Sequence, residues 1–89
     1  MKRTEEHRRF IKHFRERIAP NKKLVAQFEH RLQQLIEGRP SPLLKDHPLT
    51  GEKHGLRAFS VTGDIRVLYE ETEAKILLLD IGTHNQVYR

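Results

Sequence analysis

Eighty-nine residues, 36% of them hydrophobic and 33% charged, are expected to make one domain with a single core, because so short a chain cannot divide its apolar residues between two. The lack of cysteine excludes disulfides and thiolate metal sites. No apolar run approaches the roughly 20 residues of a membrane span, and residues 1–17 are too charged for a secretory signal, so a reducing, cytoplasmic setting is expected.

The net charge of +5 is unevenly placed. Residues 1–45 hold 12 Lys and Arg against 5 Asp and Glu, whereas residues 46–89 hold 5 against 7. A polyanion is therefore attracted mainly to the first half, through counterion release.

Residues 1–6 are too short and polar to predict a strand. His7, Phe10, Ile11, Phe14 and Ile18 recur at three- and four-residue spacing, which predicts an amphipathic helix from about Thr4, its candidate cap, to Ile18. Pro20 and Asn21 break the chain. Leu24, Val25, Phe28, Leu32, Leu35 and Ile36 then mark a second apolar stripe that ends at Gly38, so an antiparallel helix hairpin is expected.

Residues 39–54 contain three of the four prolines and no sustained period, and read as a long connecting loop holding His47 and His54. Strands follow at Leu56–Val61, Asp64–Glu71 and Ala74–Ile81, with turns at Thr62-Gly63 and Thr72-Glu73. The third strand is apolar on both faces over four residues, which suits a central place under the hairpin. Thr83–Arg89 is read as a short final strand. The fold class is α+β: a two-helix hairpin on a small antiparallel sheet, with the first strand short or absent.

Four stretches carry a resemblance: Lys45-Asp46-His47-Pro48-Leu49-Thr50-Gly51, Gly55-Leu56-Arg57, Gly63-Asp64-Ile65-Arg66-Val67-Leu68-Tyr69, and Gly82-Thr83-His84-Asn85-Gln86-Val87-Tyr88. In order and spacing they resemble the motifs of YafQ-type toxins of the RelE/ParE superfamily. The resemblance implies ribosome-dependent cleavage of mRNA in the A site, by attack of a ribose 2′-hydroxyl on the adjacent phosphate, with no metal or other cofactor. That chemistry needs a base, an acid, and cations for the charge gathering on the phosphoryl oxygens.

The family pattern makes His84 the principal general acid/base, His47 its base partner, and Asp64 a carboxylate that acts as a base or orients a histidine. Arg57 and Arg66 match phosphate-stabilising positions, where a guanidinium meets phosphoryl oxygens in a fork. Tyr88 matches an aromatic position that stacks on a base, and Lys53 and His54 are further candidate RNA contacts. Lys2, Lys12, Lys22 and Lys23, with Arg3, Arg8, Arg9, Arg15 and Arg17, would form a cationic surface for ribosomal RNA. A cognate antitoxin is also implied, with the chain a monomer or part of a toxin–antitoxin hetero-oligomer, and no membrane partner.

The chain departs from the pattern at three residues, and in lacking a predictable first strand, with which the family normally begins. Ser60 stands where the family carries a histidine, Asp80 where it carries an arginine, and Ile65 where a tryptophan can follow the aspartate. Each bland reading stays open beside the functional one: a surface histidine for His84, an ordinary loop histidine for His47, a turn residue for Asp64, a structural ion pair of Arg66 with Asp80, and packing for Tyr88. Two alternatives to the nuclease remain. One is metal-assisted hydrolysis through His47, His54, Asp64 and His84, although no H-E-x-x-H-type motif is present. The other is a noncatalytic protein of the same fold that acts by binding, as a gyrase inhibitor or an inactive antitoxin-binding homologue.

Overall fold

The computed structural model describes residues 2–38, 44–49 and 55–88. Its elements in chain order are β1 (Arg3–Glu6), α1 (Arg8–Arg17), α2 (Lys22–Ile36), β2 (His47–Pro48), β3 (Arg57–Ser60), β4 (Ile65–Glu71), β5 (Lys75–Thr83) and α3 (His84–Val87). The five strands form one sheet in the order β1-β5-β4-β3-β2.

The expected helix hairpin and meander are both present. The sheet is mixed rather than wholly antiparallel, because the short first strand does form and runs parallel to β5, with Arg3 opposite Lys75 and Glu6 opposite Leu78. Its polar residues hold by position: the Lys75 ammonium donates to Glu5 at 2.9 Å, and Lys2 to Glu71 at 2.6 Å. Thr4 therefore lies in a strand and caps nothing. α1 begins four residues later than predicted, with His7 as its cap and the His7 Nδ1 accepting from the Arg9 N–H at 3.0 Å.

α2 starts where Asn21 accepts from the backbone N–H groups of Lys23 and Leu24. The apolar stripes of α1 and α2 meet through Phe10, Phe14 and Phe28, whose ring centroids lie 5.2–5.8 Å apart. Beneath these rings, one sheet face contributes Phe59, Val67, Tyr69, Ile76, Leu78 and Ile81 to the core.

Ala58 and Leu68 alternate with Phe59 and Val67, so they lie on the opposite face, and both are buried. On β5 the register slips between Leu68 and Tyr69, which pair with Asp80 and Leu78 and leave Leu79 without a partner. The bulge lets Leu78 and Ile81, three residues apart, enter the same core.

The predicted final strand is instead one turn of helix. Thr83-His84-Asn85-Gln86 forms a capping box: the Thr83 Oγ1 accepts from the Gln86 N–H, and the Gln86 side chain accepts from the Thr83 N–H at 2.8 Å. α3 packs on β4 and β5 with Val87 buried. A Cβ on Gly82 would sit 2.5 Å from the Gln86 Oε1 and 2.6 Å from the Arg17 Nη1, so the ends of those two side chains would have to move.

Candidate active site

The β4–β5 end of the sheet gathers His84, Asp64 and Arg66. Cross-strand pairing sets Ser60, Arg66 and Gly82 in one row, and His47, Ala58 and Leu68 in a parallel row two residues away on the same face. At the end of that face Gly63, Asp64, Arg66, Thr83, His84 and Asn85 line an open depression of about 380 Å³, at the small end of ligand-sized clefts. A larger depression, about 480 Å³, lies between Glu6 and the outer face of α1. Its lining of Glu6, Arg8, Ile11, Lys12, Arg15 and Glu16 holds none of the predicted catalytic residues.

The capping box fixes how His84 is presented. It occupies the first turn of α3, exposed, with its ring edge-on to Tyr88 at a centroid distance of 4.4 Å and an interplanar angle of 70°. Tyr88 is half-buried, and its hydroxyl is buried without a hydrogen-bond partner among the described residues. Burial raises the Tyr88 pKa, and the nearby Arg66 charge works in the opposite direction.

Arg66 donates through Nη1 to the Ser60 hydroxyl at 2.6 Å and has no other hydrogen bond among the described residues. Asp64 is exposed at the tip of the β3–β4 turn. The Thr62 Oγ1 shapes this turn by accepting from the Asp64 and Ile65 N–H groups, leaving the Asp64 carboxylate unbonded among the described residues.

His47 lies on β2, exposed, opposite Ala58. Its Nδ1 is 2.7 Å from the Lys45 carbonyl, which can only accept, so Nδ1 carries the proton and Nε2 is left as the base in the neutral ring. Two strands and two residues separate His47 from Arg66, about 12 Å between their Cα positions by sheet geometry.

Arg57 is not brought to the depression. It pairs with Tyr69, while Arg66 pairs with Ser60 three residues further along β3, and this odd offset puts the two arginines on opposite faces. The Arg57 guanidinium grips Asp46 in a fork, Nε to Oδ1 at 3.2 Å and Nη2 to Oδ2 at 3.1 Å, and the Tyr69 hydroxyl also donates to the Asp46 carboxylate. The hydrogen bonds that Arg57 donates to Asp46 and then to Tyr69 raise the Arg57 pKa. Burial, followed by the Asp46 carboxylate, raises that of Tyr69, so the phenol stays a donor.

Arg66 forms no ion pair with Asp80. Asp80 turns to α1 instead, where its Oδ1 lies 2.5 Å from the His13 Nδ1 and 3.9 Å from the Arg17 Nη1. Lys53 and His54 lie outside the described residues. Of the cations assigned to the hairpin surface, Lys2 is held by Glu71, Arg17 by the Ile81 carbonyl, and the exposed Arg3 lies 3.9 Å from Glu5, which leaves Arg8, Arg9, Lys12, Arg15, Lys22 and Lys23 exposed. The roles of Ser60 as hydroxyl partner to Arg66, and of Gln86 in the cap, were not anticipated. The T-x-x-Q spacing could have revealed the latter.

Several comparisons with known proteins bear on this arrangement. Residues 2–89 match the family model described as a bacterial toxin of type II toxin–antitoxin system, YafQ. No curated protein matches the chain by sequence. Among solved structures, a point mutant of YafQ from E. coli is 23% identical with a TM-score of 0.84, and YafQ in the E. coli DinJ–YafQ complex is 24% identical with a TM-score of 0.83. Both cover 100% of either chain. A copper-bound mutant toxin from Helicobacter pylori is 20% identical over 98% of this chain and 99% of its own, with a TM-score of 0.86. At these identities the structural likeness establishes the fold, and the family match establishes membership: this chain belongs to the YafQ family of bacterial toxins of type II toxin–antitoxin systems.

Proposed function

We propose that the chain is a ribosome-dependent endoribonuclease that cleaves mRNA in the A site through its own ribose 2′-hydroxyl. The observation that carries this reading is the convergence of His84, Asp64 and Arg66 on one depression, with Tyr88 against the His84 ring and His47 on the same sheet face. The Nε2 of His47 takes the 2′-hydroxyl proton as the oxygen attacks phosphorus. The guanidinium of Arg66 meets the charge building on the phosphoryl oxygens, and His84 protonates the departing 5′-oxygen. Asp64, unbonded among the described residues and lining the same depression, serves to orient the His84 ring. Tyr88 supplies a ring for base stacking next to the acid.

Every proton and charge in this scheme is handled by a side chain, so the reaction proceeds without a metal, and cleavage should survive chelators. The exposed cations of α1 and α2 suit docking on ribosomal RNA backbone in the cytoplasm. Membership of a toxin–antitoxin family, together with the DinJ–YafQ complex of a structural relative, supports a cognate antitoxin as protein partner.

The test is cleavage of a translated reporter mRNA with mapping of the 5′ ends. Wild type should cut within A-site codons only when ribosomes are present, and His84→Ala should lose about 10²–10⁴-fold in rate. Inhibition of DNA supercoiling with no mRNA cuts would instead place the chain among noncatalytic binders of this fold.

A further inference from the structure

The segment that presents His47 is built under constraint. Lys45 has φ of 48°, a left-handed conformation that a lysine adopts only when its neighbours impose it. On one side Leu44 is buried, and its carbonyl accepts from the Ser60 N–H at 2.7 Å. On the other side the Asp46 carboxylate is held by the Arg57 fork and by the fully buried Tyr69. Between these two anchors the Lys45 carbonyl faces the Nδ1 of His47.

We propose that Arg57, Asp46 and Tyr69 are positioning residues that hold His47 as its Nδ1–H tautomer, with Nε2 as the proton-accepting atom. This assignment rests on the base role given to His47 above. It moves Arg57 from direct phosphate contact to a role exerted through Asp46.

Asp46 is the residue between Lys45 and His47, so fixing its carboxylate fixes the peptides on either side and hence the carbonyl that selects the tautomer. Arg57 has two of its donors on that carboxylate and a third contact, Nε to the Tyr69 hydroxyl, at 3.2 Å. A substrate phosphate reaching it must first displace a bidentate carboxylate.

Nitrogen NMR of the histidine rings, assigned through a His47→Gln control, reads the tautomer directly. Single-turnover cleavage on programmed ribosomes reads the consequence. Asp46→Asn and Tyr69→Phe should each lower the Nδ1–H fraction of His47 and reduce the cleavage rate about 10- to 100-fold, with the apparent affinity for ribosomes unchanged. Arg57→Gln should match them, and the Asp46→Asn/Arg57→Gln double variant should be no worse than the poorer single one, because both remove the same device. An unchanged tautomer in both Asp46→Asn and Tyr69→Phe overturns the proposal. So does an Arg57→Gln loss that adds to that of Asp46→Asn and weakens the salt dependence of binding, the signature of a phosphate contact. If wild type makes no ribosome-dependent cut, the nuclease reading fails, while the tautomer comparison still decides whether the lock exists.

Discussion

Arg57 and Arg66 sit on one hairpin, are both half-buried, and are both drawn by the resemblance into phosphate binding, yet the fold treats them oppositely. Arg57 faces a carboxylate and a phenol that take up its fork. Arg66 faces a neutral serine hydroxyl and keeps most of its five donors for whatever enters the depression. Residue type does not decide which arginine is available. The decision lies in what the register sets opposite each, Tyr69 in one case and Ser60 in the other.

The largest effect expected from breaking this contrast is at the open arginine. Arg66→Ala should cost about 10²–10³-fold in single-turnover cleavage, as removal of one stabilising donor typically does. Arg66→Lys should recover only part, since an ammonium supplies the charge without the fork. Wild-type rates in Arg66→Ala would mean that the depression is not where phosphate sits. At the closed arginine the loss should appear in stability. Asp46→Ala strands a buried phenol and a half-buried guanidinium, and should lower the unfolding free energy by about 2–3 kcal/mol, read as a lower denaturant midpoint at unchanged slope. A change under about 0.5 kcal/mol would reduce the fork to an ordinary surface pair.

The same contrast marks what the sequence made legible. Helix hairpin, meander and the cluster of His84, Asp64 and Arg66 could be read because periodicity and turn residues are local signals, and because the motifs fall at strand ends that the meander brings together. The closed state of Arg57 could not, since it depends on a register and on Asp46, 11 residues away in sequence. β1 was hidden for a similar reason. Its Arg-Thr-Glu-Glu carries no apolar alternation, and its pairing is specified by β5, 72 residues further along at Arg3 and Lys75. The one-turn helix after Thr83 was missed although its capping box was in plain view, because a valine and a tyrosine beyond it read as strand.

A smaller effect separates the two tyrosines that accompany the two arginines. Both phenol pKa values are raised from 10.0, Tyr69 by burial and the Asp46 carboxylate, Tyr88 by burial against the pull of Arg66. The folded chain therefore keeps both protons when the unfolded chain begins to lose them. Their contribution to stability is complete below pH 10.0 and declines as pH rises above it. With only two tyrosines and no tryptophan, the tyrosinate absorbance resolves them: Tyr88 should ionise first, Tyr69 last, and Arg66→Ala should delay Tyr88. An ordinary midpoint for both phenols would remove the electrostatic distinction between the two surroundings.

The smallest expected effect asks what the closed side is for. Lys45 holds a left-handed backbone that costs a non-glycine residue about 1–2 kcal/mol, whereas glycine adopts it freely at the expense of about 0.5–1 kcal/mol of extra entropy in the unfolded chain. Lys45→Gly should therefore stabilise the protein, by about 0.5 kcal/mol net, in equilibrium denaturation. If the turn existed only to hold the domain together, activity would be unchanged or improved. If it exists to aim the Lys45 carbonyl at the His47 Nδ1, the freer glycine should blunt cleavage while the domain grows more stable. A chain made both more stable and more active by this change would argue that the strain at Lys45 is incidental to the placement of His47.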